Sequence, residues 1–326
     1  MCHHDRVPWF GLHLNSFAYP NVSNADLFAR ASAVATAAEE SGFDSIWVLD
    51  HLVQGGHAGL PHEPMPEAYA MLSALAARTT KVSVGTLVTA VTFRNPAHLA
   101  KLATTLDVIS AGRAILGIGA AWYEPEHTGY GIPFPPIRER MDRLEETLQI
   151  CKLMFTQERP SFEGKYYRIE EAINEPRPVR PGGPPILIGG TGEKRTLRLV
   201  ARYADICNFP KHTRPDVIQH KFDVLRRYCD EEGRAFEDIV KSRKRTLVIA
   251  PSRLGAVRKG ARQREAWNEP RSRYRGMVTQ GSPKQIIQQV EADLAAGFDG
   301  VIFNITDDYD IDMVRLAGTT LRNHFG

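Results

Sequence analysis

The chain has 326 residues, 43% of them hydrophobic and 24% charged, with a formal net charge of +3. Those proportions are those of an ordinary globular enzyme, and no apolar run reaches the roughly 20 residues that span a bilayer. So small a net charge also excludes a general nucleic-acid binder.

In chain order, the first predicted strand is WFGLHL from Trp9, followed by a helix over Ala25 to Ser41. SIWVLDH from Ser45 and VSVGTLVT from Val82 are the next strands, then a helix from Ala97 to Ser110. AILGIGA from Ala114 precedes a helix over Ile137 to Phe155. A proline-rich stretch carries a hairpin near Phe162 to Tyr167, and PILIGG from Pro185 leads to a helix from Lys194 to Tyr203. DICNF from Asp205, a helix from Arg214 to Glu232 and RTLVIA from Arg245 follow. A helix over Pro283 to Ala296 and GVIFNI from Gly300 complete the pattern.

Strands that are apolar throughout are buried on both faces, as in a parallel sheet covered by helices. Eight strands alternating with helices predict an α/β fold, a closed (β/α)8 TIM barrel. The chain reads as one domain over residues 1–326, with insertions at about 156–184 and 251–280. Ser41-Gly42-Phe43-Asp44 and Ala296-Gly297-Phe298-Asp299 place a glycine just past a helix, where a left-handed cap belongs. The start, Met1 to Arg6, lacks an apolar signal core, so the expected location is cytoplasmic.

In such a barrel the functional candidates stand at the carboxyl ends of the strands. Asp50 and His51 close the second strand; the histidine can exchange a proton near neutral pH, and the carboxylate can orient it or hold nearby loops. Gly189-Gly190-Thr191-Gly192-Glu193-Lys194-Arg195 joins a strand to a helix. It offers backbone amides and two cations to an anion such as phosphate. It is neither a Walker motif nor a dinucleotide fingerprint.

His13, Trp122 and Asn208 are candidates for a substrate pocket. His57, His62 and Glu63 match no zinc spacing, and no metal is expected. Cys2, Cys151, Cys207 and Cys229 form no CxxC pair, and Cys207 reads as a small buried hydrophobe. Twelve Lys and Arg residues lie between Lys241 and Arg275 against Glu265 and Glu269, about +10 in charge, leaving about −7 elsewhere. That segment is expected to be a basic loop at the active end of the barrel.

Several of these stretches together resemble the luciferase-like monooxygenase superfamily, and within it the enzymes that use coenzyme F420, a deazaflavin. The carriers are Ser45 to His51, Gly85 to Thr89, Thr92 to Pro96, Leu106 to Arg113, Gly117 to Glu124, Tyr130 to Pro135 and Pro185 to Gly190. The resemblance implies a cis peptide at Leu87-Val88 beneath the ring, with Thr86, Leu87 and Val88 as its bed and Asp50 and His51 beside it. It implies backbone contacts from Gly119 and Ala120, and a phosphate held by Gly189, Gly190 and Thr191. Lys194, Arg195 and the basic segment would face the cofactor's polyanionic tail.

Trp122 stands where some relatives place a catalytic glutamate, with Glu124 and Glu126 only nearby, which puts sugar-phosphate oxidation in doubt. The implied activity is hydride transfer between the deazaflavin and a small-molecule substrate with an activated C=C or C=N bond. A separate F420-reducing enzyme would supply the cofactor, and the expected assembly is a homodimer, with no nucleic-acid or membrane partner. The alternatives are an FMN-dependent monooxygenase fed by a flavin reductase and a non-catalytic flavin- or anion-binding protein.

Overall fold

A computed structural model of the protein describes residues 7–55, 59–307 and 309–326; Cys2 and His57 lie outside the described residues. The first half runs β1 (Trp9–Leu14), α1 (Leu27–Ser41), β2 (Ser45–Val48), α2 (Ala68–Ala76), β3 (Ser83–Thr86), β4 (Thr89–Ala90), α3 (Pro96–Ile109), β5 (Ala114–Gly119), α4 (Glu124–Gly129) and α5 (Ile137–Thr156). The hairpin β6 (Phe162–Glu163) and β7 (Arg168–Ile169) precedes β8 (Ile186–Gly189), α6 (Thr196–Tyr203), β9 (Ile206–Phe209) and α7 (Ile218–Glu231). Next come β10 (Val240–Ile249), α8 (Arg253–Ala266), α9 (Arg271–Met277), β11 (Val278–Gly281), α10 (Pro283–Ala295), β12 (Gly300–Ile305) and α11 (Ile311–Phe325).

Strands β1, β2, β3, β5, β8, β9, β10 and β12 pair in parallel, and β12 returns to β1 to close an eight-stranded barrel. Helices surround it, as the apolar strands require. Gly42 and Gly297 both take φ of 100° just past a helix, a conformation that a Cβ disfavours.

Successive side chains of a strand point to opposite faces. Trp47, Ile115, Leu187, Ile206 and Ile302 meet inside the barrel, apart from the larger core between strands and helices. Counting by twos from them, and from Trp9 and Val240 beside them, puts His13, Gly119, Gly189, Asn208, Lys244 and Asn304 on the inner wall nearer the mouth.

The seventh barrel strand begins five residues before the expected Arg245, so Lys241 to Arg245 are strand and not loop. Lys241 and Arg243 point outward and are buried. Lys241 Nζ lies 2.9 Å from Asp299, and Arg243 Nη1 donates to Asp293 at 2.7 Å. Arg245 joins the same Asp293. A sequence of cations reads as solvated because the aspartates that neutralise them come from the α10 end and the turn after it. The rest of the expected basic loop is mostly α8 and α9, and β11 after it pairs alongside the outer half of β10.

Trp47 is fully buried, edge-on to Trp9 at 5.8 Å between ring centroids, and its Nε1 donates to Ser45 Oγ at 2.8 Å. A Cβ on Gly85 would stand 2.8 Å from this ring and 2.7 Å from the Ile115 carbonyl oxygen. Gly85→Ala should therefore lower stability by about 1–3 kcal/mol through overpacking. An unchanged urea-unfolding midpoint would contradict this packing of the barrel floor.

Candidate functional site

Asp50 and His51 leave β2 as neighbours and part at once. Asp50, 4% exposed, accepts Arg94 Nη1 at 2.7 Å on Oδ2 and Nη2 at 2.8 Å on Oδ1, and also accepts the Ala90 amide at 3.0 Å. Arg94 continues to Glu67 at 2.5 Å and lies over the Tyr69 ring. Asp50 thus ties the β3–α3 loop to β2, the second of the two roles open to it from sequence, and its carboxylate is taken up by Arg94 and Ala90 and not by His51.

The partner of His51 is Glu126, near the start of α4. His51 Nδ1 donates to Glu126 Oε1 at 2.9 Å, and the amide of Leu52 donates to Oε2 at 2.9 Å. Glu126 is 2% exposed, and its two bonds fix the histidine ring and the chain beyond it together. The imidazole Nε2 is left for exchange with a bound molecule. Trp122, 64% exposed, and Tyr123 meet the His51 ring edge-on at 5.7 and 6.1 Å.

Sequence reasoning noted Glu126 only as lying nearby; its signal was an acidic residue in the first turn of a short, proline-started helix. His127 was missed altogether. It is fully buried, and it bonds Thr92 Oγ1 at 2.7 Å and the Tyr123 carbonyl at 2.9 Å, which anchors α4.

The Leu87-Val88 peptide is cis. A Cβ on Gly119 would lie 2.8 Å from Val88 Cγ2, and one on Gly189 would lie 3.0 Å from Val88 Cγ1. Val88 therefore sits in a seat between two strands that only glycines leave open. Thr86 lies beneath it, buried; its hydroxyl donates to the Gly117 carbonyl at 2.7 Å. The Thr89 hydroxyl must then donate to Thr86 at 2.7 Å, and Tyr69 to Thr89 at 2.9 Å, since each oxygen carries one proton. Thr86 and Leu87 are thus buried, while Val88 is half-buried.

At the turn after β8, Gly190 has φ of 118° and its amide donates to the Asn208 carbonyl at 3.0 Å, so it is not open to an anion. Thr191 and Gly192 follow before α6. The two cations of this turn differ. Lys194 is exposed, whereas Arg195 pairs with Asp142 at 2.6 Å and donates to the Arg138 carbonyl at 3.1 Å. The charge that the sequence reading gave to an anion at Arg195 is thus neutralised from α5. Ala120 is half-buried at the exit of β5, and its carbonyl accepts from Arg140 at 3.1 Å.

On the opposite wall, Asn208 donates to Ser242 Oγ at 2.9 Å. His13 is fully buried with neither ring nitrogen partnered among the described residues, and burial holds its pKa well below the ordinary histidine value, Lys244, His51 and Lys211 adding to the effect. Burial, then Lys211, pushes the Lys244 ammonium down to about 7, and burial pushes Lys211 to about 8 against the pull of Glu269. Cys207 is buried and its thiol is pushed up to about 12 by burial.

With Lys244 at about 7 folded and 10.5 in the ordinary case, the unfolded chain binds more protons between those values. The penalty is complete below about pH 7 and fades as pH rises toward 10.5. Lys244→Met should accordingly be more stable than wild type at pH 6.5 by at least about 1 kcal/mol, with the gap narrowing by pH 10. A gap that stays constant in urea titrations across that range would contradict an unpaired Lys244.

The luciferase-like monooxygenase family profile matches residues 11–264. The F420-dependent glucose-6-phosphate dehydrogenase of Kineococcus radiotolerans is 38% identical over 177 residues, 52% of this chain and 50% of that protein. The chain thus spans about half the length of the curated relatives it matches. The coenzyme F420-dependent tetrahydromethanopterin reductase of Methanopyrus kandleri superposes with a TM-score of 0.79 at 19% identity, covering 98% and 99% of the two chains. The EDTA monooxygenase of Chelativorans sp. BNC1 superposes at 0.83 with 16% identity, covering 98% and 95%. At those identities the two structures share the fold alone. With the profile spanning most of the barrel, the chain belongs to the luciferase-like monooxygenase family.

Proposed function

We propose that this protein is a coenzyme F420-dependent oxidoreductase that transfers a hydride between the deazaflavin and a small organic substrate, acting as a reductase of activated C=C or C=N bonds. The observation that carries the reading is the fixed His51: its Nδ1 is held by a buried carboxylate, at the mouth of a barrel whose neighbouring strands β5 and β8 seat Val88 between glycines. The relatives that match across about half their length are F420-dependent glucose-6-phosphate dehydrogenases, which favours the deazaflavin over FMN.

Val88 would lie against the ring, Gly119 and Ala120 would line its edge with backbone, and the turn after β8 would take the phosphate through Thr191 and Lys194, the Gly190 amide being engaged with Asn208. Because a Cβ at Gly119 or Gly189 would crowd Val88, these glycines hold its side chain in place, which would leave a fixed apolar surface for a flat tricyclic group. When bound and reduced, the cofactor supplies a hydride and leaves the proton to the protein.

His51 handles that proton through Nε2. Glu126 stabilises the protonated ring through Nδ1, and Asp50 acts as a positioning residue by pinning the adjacent loop with Arg94. Trp122, exposed beside His51, offers an apolar face to the substrate in place of a carboxylate. The exposed Arg253, Arg258, Arg262, Arg271 and Arg275 on α8 and α9 form a basic surface suited to the anionic tail. A partner enzyme would return the cofactor to its reduced state.

Fluorescence titration of the purified protein with coenzyme F420 and with FMN, at low and physiological salt, tests the assignment. Salt-sensitive binding of F420 in preference to FMN is expected; preference for FMN would move the protein to the two-component monooxygenases, and binding of neither would favour a non-catalytic role. His51→Asn should reduce kcat by about 10²-fold or more. Glu126→Gln should reduce kcat at least about tenfold with KM unchanged, the split that distinguishes orientation of His51 from loss of binding. Equal falls in kcat and rises in KM would argue for a merely structural Glu126.

A further inference from the structure

The inner wall made by β1, β12 and β10 differs in charge balance from the outer face of β10. Along β10 the alternation sends Lys241, Arg243 and Arg245 outward, and each meets an aspartate. Ser242, Lys244 and Thr246 point inward, and no carboxylate pairs with Lys244 among the described residues. The register brings Lys244 beside Ile302 of β12, while β1 pairs with the other edge of that strand, Leu12 beside Phe303. His13 therefore faces the same interior from the strand next but one.

Two independent features mark this wall as incomplete. Lys244 is a half-buried cation without a counter-charge, and burying an unpaired charge is costly. His13 is fully buried with both ring nitrogens unpartnered among the described residues, each a group that ordinarily finds a hydrogen bond. The near polar groups are already engaged with one another, Asn208 with Ser242 and Thr246 with Asn304 at 3.1 Å. Lys211, at the rim, lies over the Trp267 ring at 4.4 Å from its centroid. Lys244 is thus the cation that the wall presents to a ligand.

We propose that Lys244, backed by His13, is the subsite that receives a carboxylate of the substrate, so that the molecule reduced at this mouth is an unsaturated carboxylic acid and not a neutral compound or a sugar phosphate. One ammonium and one neutral imidazole match a single negative charge and two acceptor oxygens. Pairing there satisfies donors that the fold leaves open and directs the far end of the acid toward His51. The inference rests on the reading of the mouth as a hydride-transfer site, but the subsite can be measured without cofactor or turnover.

Calorimetric titration of the protein near pH 6.5 with crotonate, with crotonamide as its neutral counterpart, and with inorganic phosphate tests the proposal. Crotonate is expected to bind at least about tenfold more tightly than crotonamide and more tightly than phosphate, each tenfold corresponding to 1.4 kcal/mol. Lys244→Met and Lys244→Gln should both lose at least about tenfold in crotonate affinity while their affinity for F420 stays within twofold of wild type. Equal binding of crotonate and crotonamide, stronger binding of phosphate, or crotonate affinity unchanged in both variants would overturn it. If crotonate binds through Lys244 while F420 does not bind, the subsite stands and the cofactor assignment fails; the converse result removes the subsite alone.

Discussion

The indole of Trp47 sets the depth at which chemistry is open to this barrel. It occupies the interior without access to solvent, edge-on to Trp9, with glycines at positions 11 and 85 because a Cβ at either would strike the ring or its neighbours. Every inward side chain above it then faces the mouth and cannot be core. That one packing decision separates the apolar layer of Ile115, Leu187, Ile206 and Ile302 from the polar layer of His13, Asn208, Lys244 and Asn304.

Around the mouth, the period of two in a strand decides which charges are structural and which are functional. Cations that turn outward from β10 are neutralised by Asp293 and Asp299, and these pairs bind α10 and its exit turn to the barrel. Removing one member of a buried pair typically costs about 3–5 kcal/mol, so these residues are under strong structural constraint. Lys244, one residue out of phase, carries no such role. Asp50 and His51 divide in the same way: adjacent in an extended segment, one turns to Arg94 beneath the loop and the other to Glu126 at the rim.

Much of the architecture could be read from the residues, because apolar strand runs between amphipathic helices express burial directly. The cis peptide at Leu87-Val88 followed from family resemblance and not from any local pattern. What sequence could not show was pairing. Lys241 to Lys244 read as part of a basic loop because the counter-ions lie about 50 residues away in sequence. Arg195 read as a free cation because Asp142 reaches it from another helix. Glu126 was passed over since nothing in a short helix announces which residue of a different loop it will hold, and Asp50 took its place only by adjacency to His51.

The central claim is that a deazaflavin ring rests on Val88, within reach of the histidine held by Glu126. A crystal structure of the protein bound to coenzyme F420 tests it most directly. The account predicts the ring lying against Val88 beside β5 and β8, its phosphate at the turn after β8 near Thr191 and Lys194, and His51 Nε2 turned toward the space above it. A ring bound on the outer face of α8 and α9, or a mouth where His51 has left Glu126 and points away from the ring, would contradict the account.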